Sequence, residues 1–115
     1  MIEACRRTCL CVMVLLPVSC ATALREEVRV MADGVRFQIR RPGAASVAVA
    51  GDFNGWSPTA HAMTRSGDLW TSTIVVPPGE YLFMYVIDGT WVTPPSVAEV
   101  VPDGFGGSNG RLVVP

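Results

Sequence analysis

The chain has 115 residues with a formal net charge of −1, and its nine basic residues are all arginines scattered along the sequence. This balance gives no basic patch for nucleic acid or for an anionic membrane surface. A single histidine, and four cysteines that all lie at or before Cys20, leave too few ligands for a rich zinc site and no Cys–His nucleophile in the rest of the chain. We therefore expect no metal, no cofactor and no catalytic residues.

Residues 1–23 have the layout of a signal peptide. Two arginines, Arg6 and Arg7, precede an apolar stretch from Leu10 to Val18, and the small residues Ala21-Thr22-Ala23 follow it. The apolar stretch is much shorter than the ~20 residues that a membrane-spanning helix needs. This order predicts cleavage after Ala23 and export to the periplasm or the exterior.

Two other interpretations of the N-terminus remain open. The segment Leu16-Pro17-Val18-Ser19-Cys20 partly resembles a lipoprotein signal, which would leave a lipidated Cys20 at the new N-terminus. A start codon at Met31 would instead give a cytoplasmic protein. In the favoured interpretation, residues 24–115 form one small domain. We expect this domain to fold as a monomer, because its patterned strands supply one continuous apolar core, and to do so without disulfides, because no cysteine follows Cys20.

From Val28 onward, short segments of alternating apolar and polar residues are separated by turn signals. Val35–Ile39 alternates with the period of two that is typical of a strand with one buried face. Asp33-Gly34 precedes it and predicts a hairpin. Strands are expected at Val28–Met31, Val35–Ile39, Ser46–Ala50, Leu69–Val76, Tyr81–Ile87 and Thr90–Val92, with a looser pair at Val97–Val101 and Arg111–Val114. Because no window has a helical period, the pattern predicts an all-β, immunoglobulin-like sandwich of about seven strands.

Two tryptophans stand in or beside turns. Trp56 lies in the glycine-bounded segment Gly51–Ser57, and Trp91 follows the turn at Asp88-Gly89. Held out toward solvent, their flat apolar faces would offer a stacking surface to a partner. The alternatives are that Trp56 folds down over the edge of the sandwich and that Trp91 packs within its short strand.

Three motifs resemble those of the family 48 carbohydrate-binding modules and occur in the family's order. They are Gly51–Ser57, Pro78–Tyr81 and Val86–Trp91. This family includes the glycogen-binding module of AMP-activated protein kinase and the N-terminal early-set domains of isoamylase and of glycogen branching enzymes. The resemblance runs from about Val35 to Val114. It implies an early-set β-sandwich that is not an enzyme and that binds an α-1,4-glucan such as glycogen, starch or maltodextrin.

The same resemblance implies the residues of a sugar site. Trp56 and Trp91 are similar in position to the family's two stacking tryptophans. Asn109 falls where the family has a sugar-binding asparagine, and Phe105 falls near an apolar residue that the kinase-type modules insert against the glucan. A local alternative for Asn109 is a left-handed turn with Gly110, a conformation that asparagine often adopts.

One position departs from the family pattern and leaves two functions open. Met84 stands where the kinase-type modules have a lysine, so a charge-assisted donor to a sugar hydroxyl is missing. Met84 and the export signal favour a structural or protein-interaction sandwich at the cell envelope that binds no sugar, because glycogen is stored inside cells. The paired tryptophans favour a glucan-binding module. The same fold hosts both functions.

Structural roles are expected for the remaining aromatic and acidic residues. Trp70 and Phe53 are expected in the core, because the strand period and the family pattern turn them inward. The aspartates stand in turn-forming contexts, where a carboxylate that accepts backbone hydrogen bonds is a commoner role than half of a glycosidase pair. These turn aspartates are Asp52, Asp68, Asp88 and Asp103.

Overall fold

The computed structural model of the protein describes residues 26–95 and 99–115. The expected signal peptide with Cys20, and the first part of the expected strand Val97–Val101, lie outside these residues. Nine strands form within them: β1 Glu27–Met31, β2 Gly34–Arg40, β3 Val47–Gly51, β4 Thr64–Ser66, β5 Leu69–Ile74, β6 Gly79–Ile87, β7 Thr90–Val92, β8 Val100–Pro102 and β9 Ser108–Val114. No helix in this part of the chain has the length and hydropathy to cross a membrane.

The nine strands form two antiparallel sheets. The first sheet has the order β1-β2-β5-β4, and the second has the order β3-β6-β9-β8. The short strand β7 also pairs with β6, at Tyr85–Ile87, while β9 pairs with Gly79–Phe83. Since β3 pairs with the opposite edge of β6, β7 and β9 follow each other along one edge. This arrangement confirms the all-β, immunoglobulin-like sandwich of the early-set class.

The core lies between the two sheets and is built by the alternation seen in the sequence. In β2, the side chains of Val35, Phe37 and Ile39 are buried, as their period predicts. They meet Phe83 and Tyr85 from the inner side of β6, and the Phe37 and Phe83 rings pack edge to face with centroids 5.2 Å apart. Full burial of each of these large apolar side chains contributes roughly 1.5–3 kcal/mol.

The two aromatic residues expected in the core are there. Trp70 is 6% exposed and donates its indole N–H to the carbonyl of Arg41 at 3.0 Å. Phe53 lies in the short 3₁₀ turn Asp52–Asn54 after β3 and packs against the core cluster. These positions confirm Trp70 as a core residue and show that Phe53, which is half-buried, packs against the core.

Two features of the fold differ from expectation. Strand β4 is not predicted by its sequence, because all of its side chains are exposed and carry no alternation. The turn proposed for Asn109 and Gly110 is wrong, since both residues lie within β9. Gly110 serves close packing instead, because a Cβ there would lie 2.8 Å from Pro94 and 3.0 Å from the ring of Phe83.

Candidate functional site

The second sheet turns one face away from the core, and we call it the outer face. Phe83 and Tyr85 point inward, so Leu82, Met84 and Val86 of the same strand lie on the opposite side. The strand register extends this face across β3, β7 and β9. It comprises Ala48, Ala50, Leu82, Met84, Val86, Trp91, Asn109 and Arg111.

Trp56 lies on the outer face rather than free in solvent. Its indole packs against Ala48, Ala50 and Val86, and the residue is half-buried. The two alanines are small enough to leave room above the sheet for a flat ring. One face of the indole is thus covered by the sheet, and only the other is left to solvent. Of the two positions considered for Trp56, the one in which the ring folds down onto the sandwich is closer to the structure.

The turn that carries Trp56 is held in an uncommon backbone conformation. Trp56 has a φ of 60°, directly after Gly55 at 65°, and its backbone N–H donates to the carbonyl of Gly51 at 2.9 Å. A non-glycine residue in this left-handed region costs on the order of 1–2 kcal/mol. The indole packing and the hydrogen bonds of the turn offset that cost.

A carboxylate fixes the orientation of the indole. The Nε1–H of Trp56 donates to Oδ1 of Asp52 at 3.0 Å, and Oδ2 of Asp52 accepts the backbone N–H of Leu82 at 2.8 Å. One side chain thus connects the tryptophan to the central strand of the sheet. The sequence interpretation missed this role. Its only signal is the spacing of four residues between an aspartate and a tryptophan within a glycine-bounded turn.

Asn54 holds the base of the same turn. Its Oδ1 accepts the N–H of Gly51 at 3.0 Å, and its Nδ2 donates to the carbonyl of Val49 and contacts Nδ1 of His61, each at 2.9 Å. An amide nitrogen only donates, so Nδ1 of His61 accepts and the imidazole hydrogen is on Nε2. The only histidine of the chain therefore has a structural partner.

Trp91 completes an aromatic pair with Trp56. It lies opposite Val86 in the β6–β7 register and is 43% exposed. The centroids of the two indoles are 6.4 Å apart, and their planes are inclined by 41°. The two rings therefore form a bent, apolar platform on the outer face.

The turn before Trp91 is locked to the neighbouring strand. Asp88 and Gly89 have positive φ values of 50° and 82°, which is the pattern of a type I′ hairpin turn. Oδ1 of Asp88 accepts the backbone N–H groups of Ala45 and Ser46 at 2.8 and 2.9 Å. The position of Trp91 is thus tied to the start of β3.

A groove of about 470 Å³ adjoins the aromatic pair. It is bounded by Trp91 and Val86 on the sheet and by Pro58, Thr59 and Ala62 from the loop after Trp56. Most of these side chains are apolar, so the groove continues the apolar surface beyond the two rings.

Asn109 and Met84 lie beside the platform. Asn109 is paired with Val101 in β8, and the next residue, Gly110, is paired with Phe83, the residue before Met84. Its carboxamide makes no side-chain hydrogen bond to any other residue of 26–95 and 99–115. It is therefore able to donate to and accept from a ligand. Met84, at the centre of the face, offers only an apolar side chain.

Phe105 stands apart from the other predicted site residues. It is 93% exposed in the loop between β8 and β9. The loop is ordered by Asp103, whose Oδ1 accepts the N–H groups of Phe105 and Gly107 at 2.7 and 3.0 Å. Within the part of the chain that the structure describes, no ring contact joins Phe105 to Trp56 or Trp91.

Three of the turn aspartates have the structural role predicted for them. Asp52, Asp88 and Asp103 each accept backbone N–H groups. Asp68 differs, because its carboxylate forms an exposed ion pair with Arg40 at 3.1 Å. Residues 26–95 and 99–115 contain no group of three or more His, Cys, Asp or Glu side chains placed to hold a metal ion.

Residues 34–115 match the protein family described as the glycogen recognition site of AMP-activated protein kinase. The chain belongs to this family, the family 48 carbohydrate-binding modules. The matched range contains the aromatic pair and every strand from β2 to β9. The family assignment thus covers the whole outer face.

The module is also similar to segments of 1,4-alpha-glucan branching enzymes. It is 36% identical to GlgB of Bordetella pertussis over 86 residues, covering 61% of this chain and 12% of that enzyme. It is 57% identical to GlgB 2 of Xanthomonas campestris pv. campestris over 37 residues, covering 31% of this chain and 5% of that enzyme. It is 52% identical to GlgB of Butyrivibrio fibrisolvens over 40 residues, covering 33% of this chain and 6% of that enzyme. The chain thus spans no more than 12% of the length of these three relatives.

Proposed function

We propose that the module binds an α-1,4-glucan, such as glycogen, starch or maltodextrin, by stacking sugar rings on Trp56 and Trp91. The observation that carries this proposal is the aromatic pair, with indole centroids 6.4 Å apart and planes inclined by 41°. An indole face covers the apolar C–H patch of a sugar ring while the hydroxyls at its rim stay hydrogen-bonded. Two inclined platforms suit a curved glucan better than a flat one. Family membership and the substrate named for the relatives support the class of sugar.

Two further residues have secondary roles in this proposal. Asn109 lies on the same outer face as the aromatic pair, and its carboxamide makes no side-chain hydrogen bond to another described residue, so in this proposal it hydrogen-bonds a sugar hydroxyl. Phe105, exposed on its ordered loop, packs against the glucan at the periphery. In this proposal the module binds the glucan and does not catalyse a reaction. This is supported by its turn carboxylates, which are already bonded to backbone N–H groups or to an arginine.

The N-terminal sequence supports the proposal that the module is exported. The order of basic, apolar and small residues in 1–23 supports export to the periplasm or the exterior, with lipidation at Cys20 as the alternative. Intact-mass measurement of the native protein from each cell fraction tests this. A chain that begins at Leu24, or at a lipidated Cys20, supports export, whereas a full-length cytoplasmic chain contradicts it.

A second function is favoured by Met84. At the centre of the outer face it supplies an apolar contact where the kinase-type modules have a lysine, which suits a structural or protein-interaction module at the cell envelope. Met84→Lys separates the two functions. The lysine restores a charge-assisted donor and should strengthen a genuine glucan site, but it should do nothing for a face that never held sugar.

The direct test is retention of the protein in native gels that contain glycogen. Trp56→Ala and Trp91→Ala should each weaken binding by about 1 to 3 kcal/mol, the range for truncation of an aromatic anchor. Val75→Ala is the matched control, because Val75 is an exposed apolar residue directly after β5, a strand of the other sheet. Unretarded wild-type protein would support the second function. Size-exclusion chromatography with light scattering, run alongside, tests the proposal that the module is a monomer.

A further inference from the structure

The outer face carries a charge cluster at the end away from Trp91. Arg111 donates from Nη2 to Glu80 at 2.7 Å and from Nη1 to Glu99 at 2.9 Å. The backbone N–H of Arg111 also donates to the carbonyl of Glu99 at 3.0 Å. The three side chains come from β9, from β6 and from the residue before β8, so three segments of the sheet fix the cluster.

The strand register places this cluster in line with the aromatic pair. Arg111 is opposite Leu82, and Trp91 is opposite Val86 in the same strand. Leu82 and Val86 are four residue steps apart in β6, a distance of about 13 Å along the strand. Met84 and Asn109 lie between them, and all of these side chains share the outer face. A ligand that leaves the aromatic pair along the strand therefore reaches Arg111.

The surface at the cluster is concave. A groove of about 390 Å³ is lined there by Glu80, Tyr81, Leu82, Val101 and Arg111. A groove of this size accommodates part of a sugar chain rather than a single water molecule. It lies at the opposite end of the outer face from the groove beside Trp91.

The cluster presents donors and acceptors that match sugar hydroxyls. A hydroxyl both donates and accepts, a carboxylate accepts through two oxygens, and a guanidinium has five N–H donors. The two contacts of Arg111 to glutamate use one N–H on each terminal nitrogen, which leaves donors for a ligand. The hydrogen bonds that Arg111 donates to Glu80 and Glu99 raise the pKa of its guanidinium, so it stays a cation at physiological pH. As solvent-exposed ion pairs, these contacts add little to the stability of the fold.

We propose that Arg111, Glu80 and Glu99 form a further sugar subsite, which binds hydroxyls of an α-glucan that extends from the aromatic pair along the outer face. This inference rests on the proposed glucan binding by Trp56 and Trp91. Its consequence is that affinity depends on chain length. A short oligosaccharide occupies the tryptophans alone, and a longer one also reaches the cluster.

The test compares maltotriose with maltoheptaose by isothermal titration calorimetry on the full chain. Arg111→Gln should lower the affinity for maltoheptaose about five- to tenfold, as expected for loss of an exposed charge-assisted contact. It should change the affinity for maltotriose by less than about twofold. The double variant Glu80→Gln with Glu99→Gln should show the same selectivity. Arg36→Gln is the control, because Arg36 is an exposed cation on β2, in the other sheet, and it should change neither sugar.

The outcomes separate this inference from the proposed function. If Arg111→Gln leaves the affinity for maltoheptaose unchanged while Trp91→Ala weakens it, the subsite is wrong and the tryptophan site stands. Equal losses for both sugars, accompanied by a lower melting temperature, would assign the cluster a structural role and overturn the subsite. If the wild type binds neither sugar, both proposals fail.

Discussion

Asp52 accepts the indole N–H of Trp56 through Oδ1 at 3.0 Å and the backbone N–H of Leu82 through Oδ2 at 2.8 Å. The first contact orients the ring, and the second ties the turn to the central strand of the sheet. Both oxygens of Asp52 are engaged within the protein. In the proposed glucan site, Asp52 would therefore act on the sugar only by positioning Trp56.

Asp52→Ala should loosen the indole without removing the stacking surface. We expect glucan affinity to fall by about 1 kcal/mol, together with a loss of about 1–3 kcal/mol in unfolding free energy because the N–H of Leu82 loses its acceptor. Sugar titration and chemical denaturation measure the two quantities. Asp68→Ala is the control, since Asp68 is an exposed ion-pair partner in the turn between β4 and β5. Unchanged affinity in Asp52→Ala would show that the indole needs no such anchor.

The two tryptophans should differ in their contribution to stability. Trp56 packs on Ala48, Ala50 and Val86, whereas Trp91 is 43% exposed. We expect Trp56→Ala to lower the free energy of unfolding by about 2 kcal/mol and Trp91→Ala by less than about 1 kcal/mol, scaled down from the cost of truncating a fully buried tryptophan. Urea denaturation of both variants measures this. A larger loss for Trp91→Ala would mean that Trp91 is the packing residue of the pair.

The sequence predicts the sandwich well because period-two alternation and turn residues are local signals. Phe37 and Trp70 are recognisable as core residues from their own strands. The position of Trp56 is not, because it depends on Ala48, Ala50 and Val86 meeting across the β3–β6 register. The register also brings Arg111 to Glu80 and Glu99, which lie 31 and 12 residues away along the chain. Such contacts leave no trace in a local pattern.

Gly51 is required by close packing where β3 meets β6. A Cβ at this position would lie 2.5 Å from the carbonyl oxygen of Leu82 and 2.8 Å from the ring of Phe53. Since a backbone atom cannot yield without shifting the strand, Gly51→Ala should cost about 1–3 kcal/mol of stability. Gly43→Ala is the matched control, because no atom lies within 4 Å of a Cβ there. Thermal denaturation checks the pair, and equal melting temperatures would contradict the packing argument.

Tyr85 should make the fold sensitive to alkaline pH. Burial, reinforced by the charge of Glu26, raises the pKa of Tyr85 above its ordinary value of 10.0. The unfolded chain releases the phenolic proton near that value while the folded chain retains it, so the free energy of unfolding should fall as the pH rises above about 10. Tyr85→Phe should show a smaller fall between about pH 9 and pH 11, measured by urea denaturation. The same slope in both proteins would contradict this assignment.

The most direct test of glucan binding at the aromatic pair is a titration of the intrinsic tryptophan fluorescence with maltoheptaose. Trp56 and Trp91 lie on the outer face, whereas Trp70 is buried, so a stacked sugar should alter the emission of the first two. Cellopentaose is the β-linked control sugar. We expect a saturable change with maltoheptaose at or below millimolar concentration, its loss in Trp91→Ala, and little response to cellopentaose. A wild-type protein that does not respond to millimolar maltoheptaose, and that remains unresponsive after Met84→Lys, would contradict the account.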